Sequence, residues 1–132
     1  MVDEVTQFQF VAAVERISER FLLPALEGLI QAFPFVIQAF HADNGSEYIN
    51  YRVAGLLHKL HVGQFTKSRA RQSNDNALVE SKNGAVVRKH LGYAHIPQRF
   101  AEPFNGFTQG HLSPYLNFHR PCFFPTEALD AK

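Results

Sequence analysis

The sequence predicts an α/β domain whose sheet is at least partly parallel. Two runs rich in aromatic and β-branched residues, Phe8–Val14 and Val36–Phe40, read as strands. Stripes of leucine and valine at helical spacing lie between and after them. Turn-forming and proline-rich stretches punctuate the segments. Strands that alternate with helices need crossover connections, and such crossovers join parallel strands. A chain of 132 residues suits one domain and leaves little room for a second.

Taken in order, Phe8–Val14 (FQFVAAV) is the first expected strand. Ser18 then caps a helix running to about Phe33, because Leu22, Leu26, Leu29, Ile30 and Phe33 fall on one stripe at about 100° per residue. Pro24 lies off that stripe, either in the first turn or at a surface kink. Phe33-Pro34 ends the helix, since the residue before proline avoids the helical region. Val36–Phe40 (VIQAF) is the second strand, and the turn-rich segment HADNGSE follows it. A helix with Val53, Leu56, Leu57 and Leu60 on one side comes next, and Val62–Thr66 is a candidate third strand. A polar, basic loop, Lys67–Asp75, leads into a helix from about Asn76 to His90, with Gly92 placed to terminate it. Beyond it, Pro97, Pro103, Pro114, Pro121 and Pro125 leave room only for a short helix near Phe104–Leu116.

Composition excludes several classes. With 45% hydrophobic and 19% charged residues, and 13 Phe, the chain can bury a core, which argues against wholesale disorder. No apolar stretch reaches the roughly 20 residues needed to cross a bilayer, and Asp3 and Glu4 beside Met1 do not fit a secretory leader. A cytoplasmic protein without membrane association is the expectation. Cys122 is the single cysteine, so neither an internal disulfide nor a cysteine-rich zinc site is available. The seven histidines show no metal-ligand spacing, and there is no P-loop, GxGxxG or placeable Ser–His–Asp set.

The net charge of +1 conceals an asymmetry. Residues 1–58 carry three basic against seven acidic groups, whereas residues 59–99 carry eight basic groups against Asp75 and Glu80. Only that middle third suits an anionic partner, unless its charges simply keep a helix and loop solvated. Among the aromatics, Phe8, Phe10, Phe21, Phe33, Phe35 and Phe40 read as core, while Tyr48, Tyr93, Tyr115 and His119 are undecided between packing and a site.

Two carboxylates stand out. Functional groups in open α/β sheets gather at the carboxyl ends of strands, and Asp43 lies just past Val36–Phe40. Asp-Asn-Gly is equally an ordinary turn, so Asp43 is either a turn residue or a ligand. Glu80 lies near the start of the basic helix, on one side with Asn83, Gly84 and Val87, while Leu78, Val79, Ala85 and Val86 take roughly the opposite side. A helix dipole alone favours such a carboxylate by about 0.3–1 kcal/mol. The alternative pairs Asp43 with Glu80 around Mg²⁺ or Mn²⁺, because two carboxylates a few Å apart repel unless a hard cation intervenes. Two such ions about 3.5–4 Å apart can activate an attacking hydroxyl and stabilise the leaving oxygen of phosphoryl transfer.

These segments also resemble a family. HADNGSEYIN (41–50) followed by TKSRARQSNDNALVESKNGAVVRKHLGY (66–93) is similar to the catalytic core of DDE-type transposases and retroviral-like integrases. YLNFHRP (115–121) and VDEVTQF (2–8) resemble the late and early segments of that core in bacterial insertion-sequence transposases, so the likeness spans residues 1–132. The resemblance implies an RNase H-like mixed sheet flanked by helices, a Mg²⁺ or Mn²⁺ site, and polynucleotidyl transfer on DNA, both transposon ends and target. It assigns Asp43 and Glu80 as metal ligands and catalytic residues, with 36 residues between them where the family usually has thirty-five. Asn44, Gly45 and Asn83 match positions that shape the site. Lys67, Arg69, Arg71, Lys82, Arg88 and Lys89 are candidate phosphate contacts on charge.

One departure lies near the start. The family's first catalytic aspartate sits on its first strand, upstream of the segment that VDEVTQF resembles. Asp3 precedes Asp43 by only 40 positions and matches the end of the family's second strand instead. The expectation is thus a core lacking its first strand and first ligand, with exposed strand edges that favour self-association or association with a full-length transposase. Two functions follow: impaired DNA cutting and joining, or a catalytically inactive fragment that binds DNA or an intact transposase.

Overall fold

The computed structural model describes residues 1–42, 51–68 and 77–120. It is an α/β arrangement of helices around a two-stranded parallel sheet. Helix α1 spans Glu19–Ala32, strand β1 Ala39–Ala42, helix α2 Tyr51–Lys59 and strand β2 Gln64–Lys67. The parallel pairing aligns Ala39 with Gln64, Phe40 with Phe65, His41 with Thr66 and Ala42 with Lys67.

Helix α1 starts after Ser18 and ends at Phe33, as its apolar stripe predicts, but the Ser18 side chain makes no cap hydrogen bond. Leu26, Ile30 and Phe33 are buried while Pro24 is exposed. Pro24 stands in the sixth helical position, so it lies beyond the first turn. Helix α2 turns Val53 and Leu57 fully inward, and these meet Leu26, Ile30, Phe40, Ala42 and Val62 in the main core. Each of these side chains except Ala42 contributes about 1.5–3 kcal/mol by leaving water. Helix α2 closes in a Schellman motif. Val62 N–H donates to the Leu57 carbonyl at 2.9 Å and His61 N–H to the His58 carbonyl at 3.0 Å, with His61 left-handed at φ 59°. That motif aims the chain straight into β2.

The expected strands shift. Pairing begins at Gln38, whose carbonyl accepts from Gly63 and Gln64, and β1 proper starts at Ala39. Val36 is 77% exposed, so the apolar run Val36–Phe40 overstates where the strand starts. The third strand is β2, Gln64–Lys67, in place of Val62–Thr66; Val62 is instead the apolar stop of the Schellman motif.

Phe8–Val14 is not a sheet strand. Its first residues form a short hairpin with the start of the chain, through an antiparallel bridge Val2–Gln9. Phe10 N–H donates to the Met1 carbonyl at 2.9 Å, and Asp3 N–H to the Phe8 carbonyl at 2.8 Å. On its other edge two asparagines stand in for a partner strand. Asn117 bonds Gln9 through both side-chain groups, and Asn105 does the same to Ala13. An amide side chain offers one donor and one acceptor, as a peptide unit does, so it satisfies an extended backbone without a ladder.

The basic helix (residues 77–91) runs as α-helical Ala77–Lys82, a wider π-helical Asn83–Arg88, and a final turn Lys89–Leu91. Gly92 ends it at φ 76°, ψ −163°, a region open to glycine. The proline-bearing helix (residues 98–119) is longer than the short segment Phe104–Leu116 that its prolines predict. Pro103 falls in the first turn of Ala101–Phe107, where no N–H is needed. Pro114 follows the π-helical stretch Thr108–Leu112, whose wide turn, closed by Ser113 N–H to the Thr108 carbonyl, makes room for the ring.

Val86 of the basic helix packs with Leu112, Leu116 and Val11 in a second small core. Phe8 sits in a separate aromatic group, its ring 5.9 Å from Phe33, 6.0 Å from Phe35 and 5.7 Å from Phe118. Among the described residues, no helix is long and apolar enough to cross a membrane.

Candidate functional site

The carboxyl ends of β1 and β2 are tied together by side chains as well as by the ladder. His41 on β1 faces Thr66 on β2, its Nδ1 2.9 Å from Thr66 Oγ1 and its Nε2 3.1 Å from Ser68 Oγ. Ser68 is buried, and its backbone N–H donates to the Ala42 carbonyl at 2.9 Å. Thr66 and Ser68 alternate along the chain, so both reach the same face, where one imidazole spans them. This fixes the position from which the chain leaves β1 toward Asp43. Asp43, Asn44, Gly45, Arg69 and Arg71 themselves lie outside the described residues.

Glu80 is described. It sits in the first turn of the basic helix and is exposed, as are Asn83 and Gly84. Val87 on the same predicted side is half-buried, and Val86 opposite is 1% exposed. Among the described residues Glu80 accepts no hydrogen bond and forms no ion pair. A carboxylate so placed offers hard oxygen donors of the kind Mg²⁺ and Mn²⁺ take, and the positive end of a helix already favours its charge. Val79 departs from expectation, being 58% exposed. Each step of the π-helical stretch turns the chain less than an α-helical step, so Val79 falls out of phase with Val86.

The π-helical stretch also leaves carbonyls open to other donors. Arg120 Nη1 donates to the Ala85 carbonyl at 3.4 Å and His90 Nδ1 to the Val86 carbonyl at 2.9 Å. Lys82 is half-buried, while Lys67, Arg88 and Lys89 are exposed. The Arg88 guanidinium lies 5.1 Å from the centroid of the Tyr93 ring.

Asp3, the acidic candidate nearest the start, is used elsewhere. Its Oδ2 accepts from both the Thr6 N–H and the Thr6 hydroxyl at 2.6 Å, closing the hairpin turn. Among the described residues, no group of three or more His, Cys, Asp or Glu side chains converges to hold a metal ion. The residues missed by sequence reasoning are His41, Thr66 and Ser68. The sequence shows only a Thr-x-Ser pair and a histidine far from it; that they face each other follows from the strand register.

No protein-family model matches the chain. Over 102 residues, 77% of its length, it is 34% identical to the uncharacterized protein y4rM of Sinorhizobium fredii (strain NBRC 101917 / NGR234). The match covers 29% of that relative, so the chain spans less than a third of its length.

Proposed function

We propose that this chain is an integrase catalytic-core-like domain of RNase H-like fold, related to DDE-type transposases, that acts on DNA in the cytoplasm by metal-dependent polynucleotidyl transfer. One observation carries the reading. A parallel strand pair ends at Ala42, the residue before Asp43 in the sequence, and Glu80 stands exposed on the first turn of a cationic helix. Asp43 and Glu80 would hold Mg²⁺ or Mn²⁺, which supplies charge neutralisation at the scissile phosphate. Water or a DNA 3′-hydroxyl forms the new bond to phosphorus as the bond to the leaving oxygen breaks, and its proton passes to solvent. Asn83, one turn after Glu80, supports the site, and Lys67, Lys82, Arg88 and Lys89 position the DNA backbone.

The second reading is a domain that binds DNA, or an intact transposase, without chemistry. The engagement of Asp3 with Thr6 favours it, because it removes the nearest candidate for a further carboxylate. Incubating the protein with supercoiled DNA and Mn²⁺ separates the two. Metal-dependent nicking that Glu80→Gln abolishes supports the transferase; salt-sensitive DNA retention with no nicking supports the binding domain and rejects catalysis.

A further inference from the structure

The basic helix ends in a feature that neither core uses. Gly92 reverses the chain, and Tyr93 is left 82% exposed, its ring standing against the guanidinium of Arg88 on the preceding turn. Phe33, by contrast, is 6% exposed, packed between the rings of Phe8, Phe10 and Phe35. Tyr93 has no such neighbour among the described residues, and one ring face is backed by a cation.

The surrounding charge points the same way. Two cations nearer the start of the chain are neutralised in pairs, Arg52 with Glu19 at 3.3 Å and Lys59 with Glu27 at 3.0 Å. Arg88 and Lys89 are both exposed and have no carboxylate partner among the described residues. An exposed ring backed by arginine, with a second uncompensated cation beside it, matches the requirements of an unstacked nucleobase and its flanking phosphates. Duplex bases stack on each other and cannot reach such a ring, so a duplex would meet only the charges.

We propose that Tyr93, backed by Arg88, with Lys89 the next residue along the helix, is a stacking platform for a base of single-stranded or unpaired DNA. The choice of DNA as the partner rests on the function proposed above. A base held here keeps a strand end splayed beside the basic helix that carries Glu80.

Fluorescence anisotropy tests this in EDTA, with a labelled oligothymidylate and a blunt duplex of equal length. Tyr93→Ala is expected to weaken single-strand binding about 5- to 150-fold, with duplex binding and the salt slope unchanged. Tyr93→Phe restores the affinity. Arg88→Gln weakens both DNAs and lowers the single-strand salt slope by about 0.7. Wild-type affinity in Tyr93→Ala, equal loss on both DNAs, or no DNA binding by the wild type each overturns the platform. Because metal is absent, a nicking assay that fails speaks only against the transferase reading; wild-type affinity in Tyr93→Ala or equal loss on both DNAs speaks only against Tyr93, while no DNA binding by the wild type speaks against both DNA readings as well.

Discussion

Asn117 acts as a partner strand for Gln9: its Nδ2 donates to the Gln9 carbonyl and its Oδ1 accepts from the Gln9 N–H, both at 2.9 Å. Gln9 is 5% exposed, so water does not easily replace these bonds. Truncation leaves two buried backbone groups unpaired, each costing about 1–3 kcal/mol. Asn117→Ala is therefore expected to lower unfolding stability by about 2 kcal/mol or more, read as a shift in urea midpoint at constant slope. A loss within experimental scatter means that the hairpin holds itself.

Gly92 terminates the basic helix with φ 76° and ψ −163°. A Cβ there meets no atom within 4 Å, so the obstacle is backbone strain and not space. Gly92→Ala should cost about 1–3 kcal/mol. It should also move Tyr93 away from Arg88, visible as altered tyrosine emission. Unchanged stability shows that the turn relaxes freely.

His61 poses the opposite case, a side chain in the left-handed position of the α2 Schellman motif at φ 59°. A non-glycine residue there carries a penalty of about 1–2 kcal/mol, partly offset by its stiffer unfolded chain. His61→Gly should raise the thermal midpoint, and His61→Val should lower it. A lower midpoint in His61→Gly as well would mean that the His61 ring makes a stabilising contact that outweighs the backbone strain.

Much of the fold is legible locally, and the exceptions share a cause. The stripes Leu26–Ile30–Phe33 and Val53–Leu57 specify α1 and α2 because one helix face alone meets the core. The fate of Phe8–Val14 depends on Asn105 and Asn117, more than ninety positions away, and no local pattern encodes that. Pro103 and Pro114 look like helix breakers until a first turn and a π-helical stretch accommodate them. At the candidate site, the alternation of faces correctly sets Glu80 and Asn83 outward and Val86 inward. It places Val79 wrongly because the helical period changes at Asn83. The link from His41 to Thr66 and Ser68 needs strand register, which sequence alone does not give.

The Met1 ammonium supplies a pH signature. It donates to the Phe10 carbonyl at 2.8 Å, and burial lowers its pKa from the ordinary 8.0 by penalising the charged form. Between that depressed value and 8.0 the unfolded chain binds more protons than the folded one, so stability rises as pH rises through this window. Above 8.0 the gain is complete; below the depressed value the penalty is constant. The comparison that isolates this group is with the same chain acetylated at Met1. Acetylation keeps an N–H for Phe10 and removes the charge. The acetylated chain should be the more stable at low pH, with the two converging as pH approaches 8.0. Parallel stability curves would place the ammonium in water and open the Met1–Phe10 end of the hairpin.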